Sequence, residues 1–170
     1  MLLSRIVRTA GLAAGVFAFG VLASANEDKE KQLAKNDVPA AVLSAFEKAY
    51  PKAVVKGYSQ EEKDGKTVYE VESLEGKTHR DVSYLADGSL VVTEEVVAAK
   101  NLPAAVRQAV IKGHPKGKIA LAEKITEGKT IEYEVVVADG KTKIEIKLDV
   151  SGKVLESEEA KQTEEGEAGE

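Results

Sequence analysis

Two stretches of this chain, 64 residues apart, spell nearly the same text. Val38-Pro39-Ala40-Ala41-Val42 returns as Leu102-Pro103-Ala104-Ala105-Val106, and Tyr50-Pro51-Lys52 returns as His114-Pro115-Lys116. The same offset carries Tyr69-Glu70-Val71 onto Tyr133-Glu134-Val135, Gly76-Lys77-Thr78 onto Gly140-Lys141-Thr142, and Gly88 onto Gly152. A period this regular implies that each copy is one supersecondary unit. The glycines of the first hairpin, Gly65 and Gly128, stand 63 apart instead of 64, a slip of the kind that turns absorb.

Within a copy, the spacing of apolar residues changes from helical to alternating. Val38, Val42, Ala45, Phe46 and Ala49 recur at three- and four-residue steps, which places them on one side of a helix. Pro39 sits in the first turn, where its missing N–H costs nothing, and Tyr50-Pro51 ends the helix. In the second copy Leu102, Val106, Ala109 and Val110 form the stripe, between Pro103 and Gly113-His114-Pro115. After each helix the period becomes two. Strands are expected near Ala53–Glu62, Thr67–Leu74, His79–Leu85 and Leu90–Val97, then near Lys118–Thr126, Thr130–Ala138, Lys141–Val150 and Lys153–Ser157. The pairs between them, such as Asp64-Gly65, Asp87-Gly88 and Asp139-Gly140, favour tight hairpins. The expected fold is therefore α+β: two tandem repeats, 37–98 and 99–158, each one helix followed by a four-stranded antiparallel sheet. Whether the two sheets join is open at this stage.

Alternation also assigns faces. Tyr69, Val71, Val82 and Tyr84 point toward the helix, as do Tyr133, Val135, Val137, Ile144, Ile146 and Leu148 in the second copy. Glu70, Glu72, Glu132, Glu134, Glu145 and Lys147 point the other way, so one face of each sheet is apolar and the opposite face is charged.

The ends of the chain read differently. Arg5 and Arg8, the uncharged run Ala10 to Leu22 and the small-x-small triplet Ala23-Ser24-Ala25 have the three-part pattern of a secretory signal peptide over residues 1–25. An apolar run of this length falls short of the roughly 20 residues needed to span a bilayer, so stable membrane insertion after cleavage is not expected. Residues 26–36 read as a polar, flexible leader and 159–170 as an acidic, disordered tail. With no cysteine in the chain, stability has to come from a packed core even in an oxidising compartment. Removing Arg5 and Arg8 from the 24 basic residues leaves 22 against 29 acidic ones, and seven glutamates against one lysine lie in Glu156–Glu170. A nearly neutral remainder offers no basic stripe for nucleic acid. The expected location is periplasmic or secreted.

The x-Pro-Ala-Ala-Val helix start, the Tyr-Pro-Lys or His-Pro-Lys helix end, the Tyr-Glu-Val strand and the Asp-Gly or Ser-Gly final turn, each present twice, resemble the PepSY-like family over about Val38–Glu158. That family is related by fold to beta-lactamase inhibitory protein. The resemblance implies an exported helix-on-sheet module that binds or inhibits other proteins. The disulfides of the inhibitor itself cannot form here, and none of its contact residues can be placed on this chain, so no beta-lactamase target is implied.

Groups for catalysis are few. His79 lies on a strand beside Arg80 and Asp81, and His114 ends a helix; no motif joins either to a nucleophile. Gly-Lys-Thr occurs at Gly65, Gly76, Gly128 and Gly140, but a strand follows each one, where a phosphate loop needs a helix. No Asp-rich loop with calcium spacing is present. These readings give a non-enzymatic protein-binding or inhibitor-like module of the cell envelope, without cofactor, catalytic residue or dedicated metal site. Its partner is another envelope protein or peptide, and its binding surface is Glu70, Glu72, Glu132, Glu134, Glu145 and Lys147. The alternative is an envelope or stress protein that binds cations weakly through the same acids and the tail.

Overall fold

Period-two alternation builds most of this molecule. The computed structural model describes residues 30–63 and 65–161. Its strands are Lys31–Gln32 (β1), Val54–Lys63 (β2), Lys66–Glu75 (β3), Thr78–Leu85 (β4), Leu90–Val96 (β5), Lys118–Glu127 (β6), Thr130–Asp139 (β7), Thr142–Asp149 (β8) and Val154–Lys161 (β9). Helices Ala40–Ala49 (α1) and Ala104–Gly113 (α2) complete it, each preceded by a short 3-10 turn. The segment read as a signal peptide, the first residues of the leader and residues 162–170 of the tail lie outside the described residues.

The two halves keep step. α1 and α2, β2 and β6, β3 and β7, β4 and β8, and β5 and β9 all start 64 residues apart. Pro39 and Pro103 occupy the N-cap positions with φ of −54° and −51°. Each helix closes where the C-cap N–H, of Tyr50 or His114, donates to the carbonyl of Phe46 or Val110 at 2.8 Å. The 63-residue offset of the hairpin glycines also resolves. Lys63 pairs with Lys66 and Glu127 with Thr130, so both loops have two residues; Gly65 is the second and Gly128 the first. The glycine moves within a loop of constant length, and strand register is undisturbed.

The expected α+β class, two repeats each of one helix followed by a four-stranded sheet, is overturned. The described strands form one nine-stranded antiparallel sheet in chain order, and the described residues hold only two α-helices beside it, so this part of the chain is mainly β. Two pairings produce the difference. β5 accepts β6 along its outer edge, from Thr93 opposite Thr126 to Val96 opposite Glu123. Two separate sheets would instead leave two more edges of unsatisfied backbone N–H and C=O groups. At the far end, Lys31 and Gln32, within the stretch read as leader, pair with Gln60 and Ser59 and add a ninth strand.

One sheet nevertheless carries two cores. Val42 and Phe46 of α1 pack with Val38, Val71, Val82 and Tyr84, while Val106 and Val110 of α2 pack with Leu102, Ala122, Val135, Val137, Ile146 and Leu148. Fully burying an aliphatic or aromatic side chain of this size contributes roughly 1.5–3 kcal/mol. At the edge of the first core, the Arg80 guanidinium lies 4.4 Å from the centre of the Tyr50 ring. Its Nη2 donates to Glu95 at 2.9 Å and its Nη1 to Glu75 at 3.4 Å, tying β3, β4, β5 and the end of α1 together.

The last hairpin of each half is pinned against its helix. Gly88 and Gly152 have φ of 84° and 83°, and a Cβ on either would stand 2.8 Å or 2.5 Å from the carbonyl oxygen of Ala41 or Ala105 in the first helical turn. Gly76 shares the left-handed backbone, with φ of 65°, but has open space around it. Gly76→Ala should therefore cost only the conformational strain, about 1 kcal/mol. Gly88→Ala should cost about 3 kcal/mol or more, because the helix must also move. Urea unfolding of the two variants measures the difference, and equal losses would disprove the contact.

Candidate functional site

No described helix covers the second face of the sheet, and it is built from the other half of each alternation. From register, Gly57 and Ser59 of β2 lie beside Glu72 and Glu70 of β3, which lie beside Asp81 and Ser83 of β4. Val92 and Glu94 of β5 follow, then Glu123 and Ile125 of β6, Glu132, Glu134 and Val136 of β7, and Glu145 and Lys147 of β8. All six residues expected at a binding surface are on this face. Glu132, Glu134, Glu145 and Lys147 form one patch on neighbouring strands. Glu70 and Glu72 lie four strands away on β3, about 19 Å at the usual strand spacing.

This face is not simply solvated. Ser83 is fully buried, and Val68, Val92 and Ser59 nearly so, although they point away from both helices. Glu94 and Glu123 retain only 9% of their exposure. Within the patch, Glu123 stands directly opposite Glu134, which stands opposite Lys147. The Lys147 ammonium reaches diagonally to Glu132 at 3.0 Å. Like charges directly across an antiparallel pair repel, and burial withholds the water that would screen them. Burial pushes the Glu134 carboxyl up to about 8, reinforced by Glu145, Glu123 and Glu94 and opposed by Lys147. At neutral pH Glu134 therefore holds a proton and can donate a hydrogen bond, unlike an ordinary surface glutamate.

Glu94 and Glu123 escaped the sequence reading for a specific reason. They meet only where β5 joins β6, and alternation within a strand does not reveal which strands become neighbours. A usable signal exists: Glu95-Val96 stands 64 residues after Lys31-Gln32, and both pairs dock at equivalent positions on the following strand. The histidines are not drawn into the patch. His79 pairs with Leu74 on the far side of the face, and the His114 N–H closes α2. Among the described residues, no three His, Asp or Glu side chains converge as a metal site.

The match to known proteins follows the fold. A family model described as beta-lactamase-inhibitor-like, PepSY-like matches residues 25–91 and again 67–156. The chain belongs to the PepSY-like family. Three solved structures share its architecture. One is a protein of Bacteroides eggerthii described as periplasmic, with TM-score 0.64 and 20% identity over 72% of this chain and 88% of that one. Another is a DUF2874 family protein of Bacteroides uniformis, with TM-score 0.61 and 22% identity over 72% and 89% of the two chains. The third is a BLIP-like protein of Bacteroides fragilis, with TM-score 0.59 and 20% identity over 76% and 91%. At this identity the likeness is one of fold. Among curated proteins none matches the chain.

The raised Glu134 value has a consequence for stability. The folded state holds this proton up to about pH 8, and the unfolded chain releases it near 4.5. Its contribution is therefore complete below the unfolded value and is lost as pH rises through that window. Asp87 and Asp149 act in the opposite sense. Ser89 donates its backbone N–H to Asp87, Ser151 donates its hydroxyl and N–H to Asp149, and both carboxyls are held below the usual range. Their contribution is lost at acid pH, below the unfolded value of 3.8. Glu134→Gln should remove the decline between pH 5 and pH 8 and leave the acid limb intact. Urea midpoints across pH test this, and a decline equal to wild type would show that Glu134 ionises normally.

Proposed function

We propose that this protein is an exported, non-enzymatic binding module of the cell envelope, periplasmic or secreted, which holds another envelope protein or peptide on the open face of its sheet. The carboxylate patch across β5 to β8 carries the reading. Glu94 and Glu123 are nine-tenths withdrawn from water on a face that folding does not require to be acidic. The position equivalent to Glu123 in the first half is Ser59, which fits the sheet without a buried charge. Burying carboxylates costs stability, and sites that break a folding preference in this way are where function is expected.

Other features agree. The pattern over residues 1–25 supports export, and the description of the Bacteroides eggerthii structure as periplasmic supports an envelope location. No helix among the described residues is long and apolar enough to cross a membrane. An acidic face repels phosphate backbones and attracts cationic partners, so a basic protein surface or peptide suits it and nucleic acid does not.

Site-specific photo-crosslinking in envelope extract separates the faces. A crosslinker in place of Glu145, on the open face, should capture a specific partner, and one in place of exposed Lys112 on α2 should not. Capture should weaken with added salt and on combining Glu123→Gln with Glu132→Gln. Equal capture from both positions would refute the reading. So would no capture at all alongside turnover of a small substrate.

A further inference from the structure

The two halves join through a contact that the sheet offers a second time. β5 closes the first half; its inner edge pairs with β4 and its outer edge takes β6. β9 is its counterpart, starting 64 residues later and carrying the equivalent bulge, at Leu155 opposite Lys147/Leu148 of β8 where β5 has Val91 opposite Ser83/Tyr84 of β4. β9 is the last strand of the sheet, and among the described residues no strand lies on its outer side. It is also long for an edge, eight residues, and Val154 and Leu155 are 49% and 45% exposed. At the opposite end β1 covers Ser59 and Gln60 of β2, which is how exposed edges are usually blunted.

The internal joint supplies the chemistry of what β9 can accept. Across it, Thr126 faces Thr93, Ile125 faces Glu94, Lys124 faces Glu95 and Glu123 faces Val96. β9 offers Ser157, Glu158, Glu159 and Ala160 at those positions. Glu95 is neutralised from within the sheet by Arg80, but Glu159 has Ile144 as its inner neighbour. A lysine or arginine on an arriving strand would set a cation directly opposite Glu159, as Lys124 stands opposite Glu95.

We propose that the outer edge of β9 is a docking site for an extended segment of another protein, which adds as a tenth antiparallel strand with a lysine or arginine facing Glu159. This mode draws affinity from backbone hydrogen bonds and selectivity from side chains on alternate positions. It is independent of the open-face reading and uses a different surface. A second copy of this chain is a poor occupant. Its β2 would set Glu61 against Glu158 and Glu62 against Ser157, with Gln60 already held by β1, and β9 against β9 would set acidic strand on acidic strand.

The probe is a synthetic peptide with the sequence Lys118–Glu127, the strand that already docks at the equivalent edge, titrated into isotope-labelled full-length protein. Amide shifts and exchange protection should localise to β9. A peptide with glutamate in place of the lysine equivalent to Lys124 should bind about fivefold more weakly, and Glu159→Lys in the protein should recover that loss. Shifts at β5 or on the open face would overturn the proposal, as would no shifts at millimolar peptide or indifference to the charge swap. Concentration-dependent self-association abolished by Glu159→Lys would also overturn it, assigning the edge to a second copy.

Discussion

Everything in this fold turns on β5 being paired on both sides. Its inner edge belongs to the first half and its outer edge to the second, so four residue pairs, Thr93–Val96 with Glu123–Thr126, convert two sets of strands into one sheet. The connection between β5 and β6 runs through a 3-10 turn and α2, which returns the chain antiparallel beside the strand it just left. Arg80 reinforces this strand from the inner side by holding Glu95. Without the shared strand each half would be a small layer with its own exposed edges. With it, the backbone of the sheet interior is satisfied by the sheet itself.

That continuity explains why the cores and the candidate site obey different boundaries. The apolar clusters remain two, because each helix is only ten residues long and covers only its own strands. The open face has no such division. Glu94 from the first half and Glu123, Glu134 and Glu145 from the second influence one another because β5 and β6 are neighbours. Packing against a helix is local, whereas electrostatics on a shared face passes from half to half.

How far the sequence could be read follows from the same distinction. Residues whose placement depends on near neighbours were legible: Val42 and Phe46 from helical spacing, Val71, Val82, Val135 and Ile146 from alternation, and the hairpins from acidic-Gly pairs. Joining β5 to β6 is a pairing between strands more than twenty residues apart, decided by edge satisfaction in the assembled sheet and not by any local pattern. The class expectation failed at that joint, and Glu94 and Glu123 went unrecognised there. Lys31–Gln32 failed for a related reason, since two polar residues show no periodicity and become a strand only because the edge of β2 is waiting.

Comparing the halves position by position separates what folding demands from what it leaves open. In the two cores, equivalent residues are alike in kind at Val42 and Val106, Val71 and Val135, Val82 and Ile146, and Tyr69 and Tyr133. On the open side several do not: Ser59 becomes Glu123, Val68 becomes Glu132, Ser83 becomes Lys147 and Glu61 becomes Ile125, although Glu70 and Glu134 stay alike, as do Asp81 and Glu145. Both halves adopt the same strands in the same register, so none of these exchanges is needed for the fold. At Ser59, Val68 and Ser83 the first half places small or apolar buried side chains, and at the equivalent Glu123, Glu132 and Lys147 the second half places charge. A single fold that accepts an uncharged side chain at these three positions in one half and carries a charged one in the other, at a cost in desolvation, shows that folding alone does not specify them.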